Sequence, residues 1–303
     1  MSLSLAAADP TRALVVITHP DDELFMSGTL ALLSRAQVPV SLICVTRGEA
    51  GSGPHCLGEM STQLGRIREG ELMQAVKILG IEEVHVLGFA DIHPKLFRAE
   101  KDWDLAGLID CIQSIITHIK PTLVFSHGPH GGTGHPAHKA VYHATSCALE
   151  QAASPASHYS FAAMTPARFY SEYFDDDCEF YIDVRSMAAL RELSFSYHQS
   201  QLQVGEFLNP PFPRSLRKML SALFGYCFWF TEAGRARIPT LSLAQFFGRY
   251  PYEGFVTQRL GAPSAGRLEH ILKDYCHPNT APGRGSSLRV ERERDLGATD
   301  SRR

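Results

Sequence analysis

The sequence predicts an α/β protein built on an open, mostly parallel β-sheet with helices on both faces. Short apolar runs rich in β-branched residues, such as Ala-Leu-Val-Val-Ile-Thr at 13–18, show no polar alternation. Strands of this kind are buried on both faces, as in parallel sheets. These runs alternate four times with longer segments of helical periodicity before residue 152. That alternation is typical of a doubly wound sheet whose crossovers are helices.

Each element follows from its local pattern. The helix at 61–80 carries apolar residues near a period of 3.6, and Gly80 is typical of the position just after a helix. Together the elements predict a Rossmann-like sheet, in which functional residues lie at the carboxyl ends of the strands. In chain order we expect a strand at 13–18, a helix at 23–36, a strand at 40–46, a helix at 61–80, a strand at 84–87, a helix at 103–119, a strand at 122–126, a helix at 137–152, strands at 167–173 and 179–184, and a helix at 186–203.

The composition excludes several classes of protein. The chain has 303 residues, of which 44% are hydrophobic and 20% charged, and its formal net charge is -3. These values fit a soluble globular protein and give no basic stripe for nucleic acid. The longest apolar run is shorter than the ~20 residues of a membrane-spanning helix. The N-terminus resembles no signal peptide, so we expect a cytoplasmic protein. The seven cysteines form no C-x-x-C pair and are expected to be reduced thiols.

We expect three regions along the chain. Residues 1–205 form a catalytic domain, residues 206–280 an irregular C-terminal extension or lid packed on it, and residues 281–303 a disordered tail rich in Gly, Ser and Arg. Within the extension, residues 215–230 mix basic and apolar side chains. This segment has two interpretations. It is either a buried helix or lid over the substrate cleft, which we favour, or an amphipathic helix that binds a membrane surface.

The first group of chemically active residues follows the strand at 13–18. It reads His19-Pro20-Asp21-Asp22-Glu23. His19 and Asp22 lie three residues apart across a turn, so an imidazole and a carboxylate can converge on one divalent ion such as Zn²⁺. Asp21 is then a second carboxylate beside the metal, free to act as a base. The alternative is an ordinary helix start with an Asp cap and acidic residues in its first turn.

The second group follows the strand at 122–126. It is a glycine-rich loop that leads into His135-Pro136-Ala137-His138. One histidine can supply a third metal ligand and the other can face a substrate, whereas the alternative is a flexible loop with surface histidines. Because both groups fall at the same sheet edge, they predict three protein ligands and an open coordination position, as in a catalytic zinc site.

These motifs resemble those of the zinc-dependent LmbE-like / PIG-L family of N-deacetylases. The resemblance covers roughly residues 13–205 and is specific because the motifs occur as an ordered set. The motifs are Thr18-His19-Pro20-Asp21-Asp22-Glu23, Thr46-Arg47-Gly48-Glu49, Arg68-Glu69-Gly70-Glu71, Leu87-Gly88-Phe89 before Asp91, Gly134-His135-Pro136-Ala137-His138, Asp183-Val184 and His198-Gln199-Ser200-Gln201.

The resemblance implies a role for each matching residue. The implied zinc ligands are His19, Asp22 and His138, although another divalent metal is compatible with them. Asp21 matches the family's general base and His135 its oxyanion-stabilising acid, while Arg68 and Asp91 match residues that contact the substrate. One position departs from the family pattern: residue 137 is Ala where the family commonly has an Asp that orients the first histidine. Either His130 or Asp91 replaces that Asp, or the pKa of His135 is lower.

The leading hypothesis is a metal-dependent hydrolase that removes the acetyl group from an N-acetylglucosamine-like small molecule. Zinc would lower the pKa of a water and polarise the acetyl carbonyl, so that acetate and a free amine are released. Two alternatives stay open. One is a zinc amidase acting on a non-sugar N-acyl compound, such as a thiol conjugate or a natural-product intermediate. The other is a sugar- or metal-binding protein without activity. A homo-oligomer also stays open.

Overall fold

The structure is a computed structural model that describes residues 11–51, 59–81, 83–92, 98–161, 178–201, 252–262 and 267–278. The strands are β1 (Ala13–Ile17), β2 (Val40–Thr46), β3 (Glu83–Phe89), β4 (Leu123–Ser126), β5 (Ser157–Phe161), β6 (Phe180–Asp183), β7 (Tyr252–Arg259) and β8 (Cys276–Pro278). The α-helices are α1 (Ser27–Arg35), α2 (Glu59–Ile78), α3 (Ala99–Asp102), α4 (Leu105–Ile119), α5 (Gly131–Gly134), α6 (Pro136–Gln151), α7 (Ala188–Ser196) and α8 (Leu268–Ile271). Short 3-10 helices cover Asp22–Met26 and Arg185–Met187.

The eight strands form one sheet in the order β3-β2-β1-β4-β5-β7-β6-β8. The first five are parallel neighbours, whereas β7 runs antiparallel between β5 and β6, and β8 runs antiparallel to β6. The predicted open, mostly parallel α/β sheet is therefore confirmed. Among the described helices, none is both long enough and apolar enough to cross a membrane.

Alternate residues of β1 enter two apolar cores on opposite faces of the sheet. Ala13 and Ile17 belong to the core formed with α1 and α2. Leu14 and Val16 belong to the core formed with α4 and α6. Because side chains alternate across a strand, this division shows that helices cover both faces, as the unbroken apolar run at 13–18 predicted.

Several elements differ from the prediction. Strand β5 was not predicted because three of the five residues in its sequence, Ser-His-Tyr-Ser-Phe, are polar, yet all five are buried. The predicted helix at 23–36 is divided into a 3-10 turn and α1. The helix predicted at 186–203 is represented by a 3-10 turn followed by α7, which ends at Ser196. The predicted strand at 167–173 lies outside the described residues, as does the segment at 215–230.

Strand β7 is tied to the start of α1 by a buried carboxylate. Glu253 accepts hydrogen bonds from the backbone N–H groups of Gly28 (2.8 Å) and Thr29 (2.7 Å). Its Oε1 also lies 3.3 Å from Nε of the buried Arg191. A carboxylate at a helix N-terminus satisfies otherwise unpaired N–H groups and complements the helix dipole. A residue far along the chain thus fixes the helix that follows the His19–Asp22 turn.

Candidate metal centre

Neighbouring strand ends bring the predicted site residues together. His19 and Asp22 follow β1, Asp91 follows β3, and His135 and His138 follow β4. Since β3, β2, β1 and β4 are consecutive parallel neighbours, their carboxyl ends meet at one edge of the sheet. The three histidines and Asp22 are all buried.

The three predicted metal ligands form a nearly equilateral triangle of donor atoms. His19 Nδ1 lies 3.1 Å from His138 Nε2 and 3.4 Å from Asp22 Oδ2. His138 Nε2 lies 3.5 Å from the same Asp22 oxygen. A tetrahedral zinc with bonds of ~2.0–2.1 Å separates its ligand atoms by about 3.3–3.4 Å. The donor triangle (His19, Asp22, His138) therefore fits a small divalent metal in both size and chemistry.

Hydrogen bonds on the far sides of the rings orient the two imidazoles. His138 Nδ1 lies 3.1 Å from the carbonyl oxygen of Gly131, and His19 Nε2 lies 3.2 Å from Asp91 Oδ1. A proton on each of these nitrogens leaves the other nitrogen's lone pair directed into the triangle, as in known metal sites. Burial opposes the charge on His19, but Asp91 and Asp22 together raise its pKa to about 10. A bound metal must displace that proton, so metal affinity here is coupled to pH.

His127 is part of the centre and was not assigned from the sequence, which left it between lining the site and facing water. Its buried ring stacks on His138 with centroids 3.8 Å apart, and its Nε2 lies 3.3 Å from Asp22 Oδ2. The donor atoms of Asp22, His127 and His138 lie within 4.8 Å of one another, and so do those of His19, His135 and His138. The position of His127 in the sequence could have indicated this placement. His127 directly follows β4, and Ser126 at the end of β4 pairs with Val16 of β1.

Asp21, the predicted base, is partly buried and lies against the guanidinium of Arg68. Arg68 Nη2 lies 3.1 Å from Asp21 Oδ2, and the guanidinium also donates to the carbonyl oxygens of Gly48 (2.8 Å) and Pro20 (2.6 Å). Burial raises the pKa of Asp21 to about 6, and Arg68 is the largest influence in the opposite direction. A carboxylate with this pKa is ionised at neutral pH and is still basic enough to take a proton.

Arg68 and Asp91 thus have protein partners in addition to the substrate contacts implied by the resemblance. Arg68 is 4% exposed, and Asp91 accepts a hydrogen bond from the N–H of Ala50 (3.0 Å) as well as lying against His19. Their contacts with a substrate stay predictions.

His135 is held as a neutral imidazole. Its Nδ1 accepts the backbone N–H of Ala137 (3.3 Å), so the ring proton of the neutral form is on Nε2. Burial is the main cause that lowers its pKa to about 3. Ala137 itself packs in the apolar core on the α4–α6 face, while His130 is exposed. Of the explanations left open for Ala137, burial supports a lower pKa of His135, and the neutral ring carries its N–H on Nε2.

Residues 14–149 match the family described as PIG-L, GlcNAc-PI de-N-acetylase. This part of the chain is similar to the PIG-L family. The PIG-L match begins within β1 at Leu14, contains β2 to β4 and every residue of the donor triangle, and ends before β5. The resemblance seen in the sequence motifs is thereby confirmed.

Curated proteins are similar in sequence to about half of this chain. The 1D-myo-inositol 2-acetamido-2-deoxy-alpha-D-glucopyranoside deacetylase of Corynebacterium urealyticum is 31% identical over an alignment of 186 residues, and the match covers 53% of this chain and 55% of that protein. A probable N-acetyl-alpha-D-glucosaminyl L-malate deacetylase 2 of Bacillus anthracis is 35% identical over 143 residues, 46% of this chain and 59% of that protein. The chain spans about half the length of these curated relatives.

Solved structures share the fold at lower identity. GalB, the 4-carboxy-2-hydroxymuconate hydratase of Pseudomonas putida KT2440, superimposes with a TM-score of 0.52 at 18% identity, covering 83% of this chain and 98% of that chain. Since a hydratase also has this fold, the fold alone does not identify the reaction, which must be argued from the site.

Proposed function

We propose that this chain is a metal-dependent N-deacetylase that acts on an N-acetylated amino sugar. The observation that carries the proposal is the donor triangle with Asp21 immediately beside it. Three protein ligands leave a fourth position open, which distinguishes catalytic zinc sites from structural ones. Zinc is the ion we propose, because two imidazoles and one carboxylate suit it and the spacing matches its bond lengths.

A divalent ion held by the triangle would supply Lewis acidity and lower the pKa of a water. Asp21 takes the proton of the water that adds to the acetyl carbon. His135 donates its Nε2–H to the oxyanion that develops as the carbonyl becomes tetrahedral, a contribution often worth ~3–4 kcal/mol. The carbon–nitrogen bond then breaks, and the proton held by Asp21 passes to the departing nitrogen. The products are acetate and a free amine, and the atoms of one water are consumed.

The substrate class is supported by what the relatives have in common. The names of the two deacetylases differ in the partner group, inositol or malate, but both name an acetylated glucosamine unit. We infer that the acetamido sugar is the recognised part of the substrate. The homo-oligomer and the cytoplasmic location stay predictions.

An acetate-release assay tests the proposal. Purified protein is incubated with N-acetylglucosamine, with N-acetylglucosaminides that differ in their aglycone, and with non-sugar N-acetyl amides. We expect release from at least one glucosaminide, abolition by a chelator, recovery with zinc, and near-complete loss in Asp21→Asn. Turnover of non-sugar amides alone would replace the sugar with the alternative substrate. Full activity in Asp21→Asn would contradict the proposed base.

A further inference from the structure

A buried ion pair next to the centre has no role in the chemistry above. Glu23 lies in the 3-10 turn after Asp22, and His198 follows α7. Both side chains are 0% exposed, and His198 Nε2 lies 2.5 Å from Glu23 Oε1. The two residues are 175 positions apart in the chain, so the contact joins the metal-binding turn to a separate part of the fold.

The second oxygen of Glu23 contacts the backbone of the proposed base. Glu23 Oε2 accepts the N–H of Asp21 at 3.0 Å. The carbonyl oxygen of the same peptide group, that of Pro20, accepts Arg68 Nη2 at 2.6 Å. Two buried side chains thus hold the Pro20–Asp21 peptide from its two ends, one through the N–H and one through the C=O.

The conformation of Asp21 explains why such a clamp is needed. Asp21 has φ 110° and ψ -15°, in the region with positive φ that residues other than glycine seldom adopt. A residue in such a conformation persists only when the surrounding contacts over-determine it, and such residues cluster at functional sites. Glu23 accepts the N–H of Asp21 itself. The direction of this N–H relative to the Asp21 side chain is set by the φ angle of Asp21.

We propose that Glu23 and His198 are positioning residues that hold Asp21 in the left-handed conformation its role as the base requires. His198 holds the Glu23 carboxylate in place, and Glu23 in turn holds the Pro20–Asp21 peptide. The orientation of that peptide determines the direction of the Cα–Cβ bond of Asp21. This inference rests on the proposed function for the role of Asp21, whereas the geometry it predicts does not depend on any substrate.

The test uses variants that avoid leaving a buried charge without its partner. The double variant Glu23→Met/His198→Leu removes both charged groups together, which is far less destabilising than removing one. His198→Gln keeps an N–H donor for Glu23 and serves as the conservative variant. Ser200→Ala is the matched control. Ser200 lies two residues after His198, but its Oγ donates to Glu71 (2.6 Å) and not to Glu23 or Asp21.

Crystal structures and kinetics are then measured with zinc bound. In the double variant we expect a changed φ at Asp21, an intact donor triangle, zinc affinity within a few-fold of wild type, and kcat lowered by about 10²-fold with little change in KM, as misplacement of a catalytic group by ~1 Å can produce. His198→Gln should recover most of kcat, and Ser200→Ala should match the wild type.

Two results would overturn the inference. One is a double variant whose Asp21 conformation and kcat are unchanged. The other is a loss of zinc affinity that parallels the loss of kcat, since the pair would then support the whole centre. If the wild type releases no acetate from any substrate, the proposed function fails, and the crystallographic comparison of Asp21 alone still decides whether the clamp exists.

Discussion

Replacing Arg68 by methionine should move the acidic limb of the pH–rate profile to higher pH. Asp21 acts only when ionised, so kcat/KM rises as pH passes through its pKa. Arg68 Nη2 lies 3.1 Å from the Asp21 carboxylate and is the main influence that lowers this pKa, which burial raises to about 6. Losing an opposite charge at this distance raises a carboxyl pKa by ~1–3 units. The limb should therefore shift upward by ~1–3 pH units in Arg68→Met.

The size of the effect at neutral pH follows from the ionised fraction. With a pKa of about 6, about 90% of Asp21 is ionised at pH 7. After a shift of ~1–3 units the fraction falls to between about 50% and 1%. A bound divalent cation lowers the pKa of Asp21 in both proteins, so the difference between the two profiles is the quantity to measure.

The matched control is Arg68→Lys, which keeps the charge but loses the planar fork. Arg68 donates to two backbone carbonyls as well as to Asp21, and a lysine cannot reproduce that geometry. We expect its limb to stay near the wild-type position while kcat falls. Thermal unfolding of all three proteins at one pH checks that the folded state is retained. If the acidic limb of Arg68→Met lay at the same pH as that of the wild type, Arg68 would not set the pKa of Asp21.

Three further changes probe other parts of the site. His127→Phe should lower zinc affinity about 10–100-fold in a chelator competition, as loss of a group that orients a ligand does, while Phe in place of the exposed His130 should not change it. Asp91→Asn should lower the pKa of His19 in the metal-free protein from about 10, because the imidazolium loses a facing carboxylate; an NMR titration in which this pKa stays unchanged would contradict the contact. Glu253→Gln should reduce the free energy of unfolding by ~3–5 kcal/mol, since it breaks a buried ion pair and a helix cap, whereas Arg185→Met, at a pair with a half-exposed arginine, should cost ~0–1 kcal/mol. Equal values in urea unfolding would contradict that ranking.

Most of the parallel strands could be predicted from the sequence, because a strand that is buried on both faces is apolar at nearly every position. The run at 13–18 and the strand at 40–46 are apolar throughout, and the structure buries every residue of β1 and β2. Strand β5 escaped prediction because its serines and histidine are buried by neighbouring strands and satisfied by partners such as the Ser126–His158 hydrogen bond of 2.8 Å. These hydrogen bonds form between residues far apart in the chain, so the local sequence pattern does not reveal them.

The candidate site divides in the same way. The proposed ligands and the proposed base could be named from the sequence because they lie in short motifs at strand ends. The contacts that tune them were not, since Asp91 reaches His19 and His198 reaches Glu23 across long separations in the chain. The sheet order places β3 near β1 and so brings Asp91 to His19, whereas the packing of α7 against α1 and α2 brings His198 to Glu23.

The surroundings of Asp21 and Asp22 shift the pKa values of these adjacent carboxylates in opposite directions. Burial raises the pKa of both, but at Asp22 the neighbouring imidazoles of His138 and His127 more than offset it and hold the pKa well below its usual range. At Asp21 burial prevails and the pKa is about 6. A carboxylate that never protonates suits a metal ligand, whereas one that titrates near neutrality suits a base. Residues so close in the chain can differ this much only if their side chains enter different environments. Asp21 has a left-handed backbone, with φ 110°, so contacts that hold this backbone also bear on where its side chain lies.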